Sequence, residues 1–331
     1  MKRLPVYWAG ISMALCACEV VETSTAEQAG MNLQGTSLLG INLQGPSLLD
    51  MTVRGYRPDG ATLWGSVLED VRVERGEVIA DRGPITLRGT ALVGAHLRAE
   101  VRNLATTPPT TAVVEYRITA ITPESSQYDP TWTGNTFLYT LEQWNPDTLA
   151  WSLACPADLD GRSVAIPLAA TWDEHGNRME HGSLFTFGCT TGVVAKCYRW
   201  GYRPWVTGYG DLGAMHWTCT RLARADYCGN GVPHTRNGTW VNVWDSLPPP
   251  GPIQRRDPLA PNGMVFEAGW NTRGAVCLNH TRWLRAGKRE SSGLCPDRVI
   301  PPAQNEADCN TALDRQGDGN ARMFNESFVH F

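Results

Sequence analysis

The chain has 331 residues, 29 of them basic and 33 acidic, for a formal net charge of −4 at pH 7. That balance lacks the basic excess of a nucleic-acid binder, while the length suffices for one large domain or two smaller ones with a real core. With 33 Gly and 22 Pro, the composition argues against a helical bundle and for a turn-rich, strand-rich fold.

Lys2 and Arg3 form a short positive segment, and residues 4–17 carry no charge and are mostly apolar. That is the length of a signal-peptide core, about 7–15 residues, and short of the roughly 20 that a membrane-spanning helix needs. The segment ends in Leu15-Cys16-Ala17-Cys18, which resembles a bacterial lipobox. Read so, residues 1–17 are a lipoprotein signal peptide and Cys18 is the lipid-attachment residue. The acyl chains then suffice for stable anchoring, which a single chain does not give. The alternative is an ordinary signal peptide in which Cys16 and Cys18 are incidental. Glu19, in place of Asp, points to outer-membrane sorting, at the periplasmic face or the cell surface. Residues 18–30 are polar and acidic and read as a tether.

A repeat follows over residues 31–98. Leu33, Leu38, Leu43, Leu48 and Val53 are spaced by five, with Gly35, Gly40 and Gly45 in register. The rhythm continues through Leu63, Leu68, Val73 and Val78, then resumes in a second phase at Leu87, Leu92 and Leu97. A period of five matches neither a helix nor a strand. It resembles pentapeptide repeats, in which each five-residue side of a β-coil buries one apolar side chain. Pro58 at a would-be central position and a phase slip near Gly83 depart from that pattern. A meander of short Gly-rich hairpins is the other reading.

From residue 99 to 331 a mixed domain is expected. Val113–Ile121 alternates like a half-buried strand, and Phe137–Trp144 with Leu149–Cys155 reads as a hairpin around Asn145-Pro146-Asp147. Ser163–Ala170 and Leu184–Phe187 are further strands. The spacing predicts one helix over Thr191–Trp200, capped by Thr190 or Thr191. A second runs from Leu212 to Cys228 and stops at Gly229. The tail beyond Trp283 is Pro-rich and polar. The fold class is therefore α+β and strand-dominated: a short pentapeptide-repeat-like β-region, then a mixed domain stapled by disulfides.

With Cys16 lost and Cys18 acylated, eight cysteines remain: Cys155, Cys189, Cys197, Cys219, Cys228, Cys277, Cys295 and Cys309. An even set suits four disulfides in an oxidising compartment, with the pairing open. No CxxC pair occurs and the histidines do not sit at ligand spacing, so neither a metal nor any other cofactor is expected.

The segments Phe185–Cys189, Ala195–Trp205, Cys219–Arg221, Arg224-Ala225-Asp226-Tyr227-Cys228-Gly229-Asn230-Gly231, Pro233-His234-Thr235 and Val243-Trp244-Asp245 together resemble the ADYC-domain family, over about residues 100–310. The resemblance implies a secreted bacterial protein with a lipoprotein signal. It carries no catalytic residue over.

Two groups of residues point to chemistry. Asp226, Asn230, His234 and Asp245, with Arg224 and Arg236 nearby, place carboxylates and an imidazole close in sequence. In principle that is a general-base site in which Asp orients His. Cys228 is better read as half a disulfide than as a nucleophile, and Asp226 as a loop tie. Trp200, Trp205, Trp240 and Trp244, with Tyr202, Tyr209 and Trp217, form an aromatic cluster that either stacks on sugar rings or fills the core. Asp158-Leu159-Asp160-Gly161 and the Asp314–Asn320 stretch have a calcium-loop flavour but read as turns. No Walker A loop, GxSxG or HExxH motif is present. The function expected is a membrane-anchored binding or surface-structural module of the cell envelope, its partners the membrane and a glycan or other envelope polymer. The alternative is a secreted hydrolase of envelope or external polymers, using His234 with Asp226 and Asp245.

Overall fold

The computed structural model describes residues 31–33, 51–63, 65–103, 110–125, 136–173, 175–180, 184–236, 238–283, 294–316 and 321–329. Cys16, Cys18, residues 34–50 of the repeat and the Asp318–Asn320 end of the second Asp-rich stretch lie outside them.

In chain order the first strands are β1 (Met31–Leu33), β2 (Met51–Leu63), β3 (Ser66–Val67), β4 (Glu69–Glu74), β5 (Glu77–Arg82), β6 (Ile85–Arg88), β7 (Ala95–Asn103), β8 (Thr110–Pro123), β9 (Phe137–Asn145) and β10 (Ala150–Leu153). Then come β11 (Ala165–Leu168), β12 (Thr171–Trp172), β13 (Arg178–Met179), β14 (Thr186–Cys189), α1 (Val193–Arg199) and α2 (Leu212–Arg224). The chain ends with β15 (Thr239–Asp245), β16 (Val265–Asn271), β17 (Gly274–Leu278), α3 (Glu306–Gln316) and β18 (Met323–Ser327).

An eight-stranded sheet runs β14-β11-β9-β8-β7-β2-β3 with β10 added on β9, and a five-stranded sheet runs β1-β15-β18-β16-β17. One core lies between them: Ile166 and Leu168, the inner faces of α1 and α2 (Val193, Tyr198, Met215, Leu222), and Val243, Trp270 and Met323. The opposite face of the larger sheet packs Tyr116, Ile118, Leu141 and Phe187 against Leu68 and against Val71, Val78 and Ala80 of the small β4-β5-β6 sheet. The far face of the five-stranded sheet buries Phe266 and Phe324 with Cys309 of α3. The protein is thus strand-dominated and layered, with two helices between the main sheets.

The disulfides staple these layers in sequence. Cys155–Cys189 ties the segment after β10 to β14, and Cys197–Cys219 joins α1 to α2. Cys228–Cys295 pins the turn after α2 to the C-terminal segment, and Cys277–Cys309 joins β17 to α3.

Several expectations need correcting. Residues 51–98 form antiparallel pairs, β2 with β7 and β4 with β5 with β6, so this part of the repeat takes the hairpin alternative and not a coil. The reason lies at its glycines: Gly65, Gly76 and Gly83 have positive φ and reverse the chain between strands. The expected boundary at residue 98 falls inside β7, which sits in the middle of the larger sheet. Helix α1 is capped by Gly192, because the Thr190 hydroxyl is already bonded to Asp158 and to the Val164 carbonyl. The Asp158 loop, by contrast, is a turn as read from the sequence, its carboxylate accepting from the Asp160 and Arg162 amides. The C-terminal segment holds a helix, α3, and a central strand, β18, where only a polar tail was expected.

Candidate functional site

The densest polar cluster is built on the end of α2. Asp211 caps its start by accepting from the Ala214 amide, and Arg221 and Arg224 fill the last turn, where cations suit the helix dipole. The helix stops at Ala225, not near Cys228, since Ala225 takes the left-handed conformation (φ 51°, ψ 44°). The Ala225 and Asp226 amides donate back to Leu222 and Arg221 carbonyls.

Asp226 holds the chain that leaves the helix. Its buried carboxylate pairs with Arg221 and accepts the Asn230 and Gly231 amides at 3.1 and 2.9 Å. Arg221 is itself spent on the carbonyls of His175 and Thr272 and on Asn177 Oδ1. Burial lowers the Arg224 guanidinium to about 10, against the pull of Asp226 and helped by Arg221, and it donates to the Gly231 carbonyl.

Tyr227 points the other way, into the five-stranded sheet, and stacks on Trp270 at 5.2 Å. Its hydroxyl donates to Glu267 Oε1 (3.0 Å) and accepts the Arg282 amide (2.7 Å). Arg282 grips Glu267 through Nε and Nη2 at 3.0 and 2.9 Å, with both side chains wholly buried. Asn325 donates to Glu267 Oε2 and accepts from the Trp270 indole. Burial alone would raise the Glu267 carboxyl, but the charge and hydrogen bonds of Arg282 outweigh it and hold it below the usual range. Burial raises the Tyr227 phenol, and the Glu267 charge adds to that. Arg282 also donates to the Leu222 carbonyl at 3.1 Å, so the network caps the helix it supports.

The two turns meet backbone to backbone. The Ala275 amide donates to the Tyr227 carbonyl. A Cβ at Gly229 would lie 2.1 Å from the Arg273 carbonyl oxygen, and one at Gly274 would lie 2.6 Å from that of Tyr227. Both glycines also have positive φ, so no other residue fits. Cys228 completes the corner as a disulfide.

Asp226, His234 and Asp245 are therefore not arranged as an acid–base triad. His234 Nδ1 lies 3.1 Å from the Ala225 carbonyl, which only an N–H can satisfy, and its ring rests beside Tyr227. Asp226 is taken by Arg221 and backbone amides. Asp245, at the end of β15, accepts from Tyr202 and from the Leu247 and Gln254 amides, closing a different loop. Burial raises its carboxyl, opposed by those bonds.

The four tryptophans picked out in the sequence do not share one surface. Trp200 and Trp205 pack on the core between the sheets. Trp244 stacks on Phe324 on the far side of the smaller sheet and donates to Glu306, and Trp240 sits half-buried on β15. A cavity of about 30 Å³, bordered by Leu168, Trp172, Trp205 and His216, has room for about one water. Among the described residues, no group of three or more His, Cys, Asp and Glu could hold a metal ion. Glu267, Arg282 and Asn325 had no part in the site expected from the sequence. The one available signal was a lone acid inside the apolar run Val265–Trp270, whose basic partner lies in a different segment.

A family model described as the ADYC domain matches residues 89–284, more than half of the chain. No curated protein matches it, and no solved structure does.

Proposed function

The chain belongs to the ADYC-domain family, and from that premise we propose that it is a binding or surface-structural module held at the cell envelope by a lipid on Cys18. The observation that carries the reading is how the charged residues of the family motif are used. Asp226 and Tyr227 are joined to Arg221, Glu267 and Arg282 in a closed network that fixes one turn against another. Such a corner makes a rigid scaffold, which suits presentation of a surface. Four disulfides spanning the layers favour an oxidising compartment, in agreement with the lipobox-like Leu15–Cys18 segment and with export to the outer membrane.

Labelling cells with an alkyne fatty acid tests the anchor. The wild-type chain should take the label and partition with outer membranes, and Cys18→Ala should lose both. Label retained in Cys18→Ala, or an unlabelled wild type in the soluble periplasm, overturns the anchor. Retention on isolated envelopes of a chain expressed from residue 19 tests the binding half of the reading separately.

A further inference from the structure

A second polar and aromatic group lies on the larger sheet, on elements that the ADYC corner does not use. Leu138, Ile166 and Leu168 bury one face of this sheet against α1 and α2. On β7–β10 the same face carries His96, Arg98, Glu115, Arg117, Glu142, Trp144 and Trp151, none of them fully buried. Side-chain exposures of 38, 37, 36 and 24% for His96, Glu115, Arg117 and Glu142 show that the helices leave this part open.

The register sets Arg117 opposite both His96 and Glu142, and Trp144 opposite Trp151. Trp151 starts from the edge strand β10, yet its ring lies 4.5 Å from the Arg117 guanidinium carbon and 5.4 Å from the His96 ring. Those partners stand two and three strands away, so the indole lies across the sheet instead of standing on it. Trp144 leans against it at 5.4 Å and 55°. Arg117 Nε donates to Glu142 at 2.5 Å, and His96 Nδ1 meets Glu115 at 2.7 Å. A cation lies over the Trp151 ring and two further rings pack beside it at 88° and 55°, which holds the ring in place while leaving it only partly buried.

We infer that this is a binding site for a neutral glycan, with one pyranose ring stacked on Trp151. A sugar ring has an apolar C–H face, which suits an indole, and a rim of hydroxyls that both donate and accept. Arg117 supplies donors to that rim, and Glu142 and Glu115 supply acceptors. Arg117 is paired with Glu142, and Glu115, which meets His96, stands opposite Arg98 in the register, so each arginine here faces a carboxylate and the site offers no strong positive surface to a polyanion or a lipid headgroup. A rigid aromatic also loses little freedom on binding. The inference rests on the binding-module reading and places the contact on this sheet, away from Trp200, Trp205, Trp240 and Trp244.

The test is calorimetric titration of the oxidised chain from residue 19 with the tetramer of N-acetylglucosamine and with cellotetraose, beside a sulfated tetrasaccharide. Wild type should bind at least one neutral tetramer and leave the sulfated one. Trp151→Ala should weaken binding at least about tenfold, as central aromatic contacts do, with Trp151→Phe in between and Arg117→Gln weakened. Melting curves show whether each variant is folded, and Trp151→Phe keeps the test valid if the alanine variant is not. Equal binding by wild type and a folded Trp151→Ala overturns the inference, as does binding of neither neutral tetramer. Envelope retention by wild type without any saccharide binding leaves the binding-module reading and removes the glycan site. Saccharide binding lost in Trp151→Ala without envelope retention does the reverse.

Discussion

Replacing Arg282 with Met keeps the volume and removes every donor. The guanidinium is fully buried and makes two bonds to Glu267, one to the Leu222 carbonyl, a longer one to the Ala223 carbonyl and one to Thr235 Oγ1. Removing one partner of a buried pair costs about 3–5 kcal/mol, because the other charge stays behind uncompensated. The lost helix-end bond adds roughly 1 kcal/mol, so about 5 kcal/mol is expected, a large share of a domain's net stability of about 5–15 kcal/mol. The loss depends on pH with a definite sign. In the wild type Arg282 holds the Glu267 carboxyl low, so its contribution is present above the unfolded carboxylate value and lost as pH falls through the depressed one. In the variant only the weaker pull of His280 and neutral bonds are left against burial, the carboxyl rises, and folding favours its protonated form. The deficit therefore shrinks as pH falls from 7 toward 4. Urea unfolding of the oxidised proteins at several pH values measures this, with an unchanged slope showing that the same surface unfolds. Glu267→Gln with Arg282→Met removes the stranded charge while keeping an acceptor for Tyr227, and should recover more than half of the loss. A deficit under about 1 kcal/mol, or one independent of pH, refutes the reasoning.

Replacing Cys228 and Cys295 together by Ser opens a link across 67 residues and should cost about 4 kcal/mol in the same assay, with a loss under about 1 kcal/mol counting against it. His216 is pushed down to about 3 by burial, with the Arg178 charge adding and its bond to the Val194 carbonyl opposing. The unfolded histidine takes its proton near 6.5 while the folded one does not, so stability falls as pH drops through that window, by up to about 1.4 kcal/mol per pH unit. His216→Gln should flatten that part of the profile; an unchanged slope contradicts the assignment. Lys196 is lowered to about 7 by burial and then by Arg199, and its Nζ has no hydrogen-bond partner among the described residues. Lys196→Met should stabilise the protein at pH 7 and below, with the gain shrinking as pH rises toward 10; a gain constant from pH 6 to 10 would show that the amine is not the cause.

The sequence made the larger sheet legible and left the smaller one hidden, for a physical reason. Val113–Ile121, the Phe137–Leu153 hairpin and Ser163–Ala170 alternate or run apolar because one or both faces pack on hydrocarbon. Strands β15, β16 and β18 carry Asn242, Glu267, Asn325 and Glu326 at buried positions, and these satisfy one another and Arg256 or Arg282 across strands. Such residues break the period of two that marks a strand, and their partners cannot be read from one segment. The same holds for the site. Asp226, Tyr227 and Cys228 stand out in the sequence, but Tyr227 and Cys228 find their partners in residues 267–282 and 295, and those partners and Arg221 are held in turn by Asn325 and by residues 175–177. The tryptophan density between Trp200 and Trp283 drew attention to rings that pack inside. Trp144 and Trp151, opposite each other in a hairpin that was recognised, lie on an open face, and pairing across that turn was the available signal.

The central claim is a lipid-anchored chain whose motif cysteine is locked in a disulfide. The most direct measurement is the intact mass of protein extracted from membranes and alkylated without prior reduction. The account expects an N-terminus at Cys18 carrying lipid and no alkylated cysteine, with Cys228 recovered joined to Cys295 after digestion. An unlipidated N-terminus contradicts the anchor, and an alkylated Cys228 contradicts the structural role of the motif by leaving a free thiol on the turn that leads to His234.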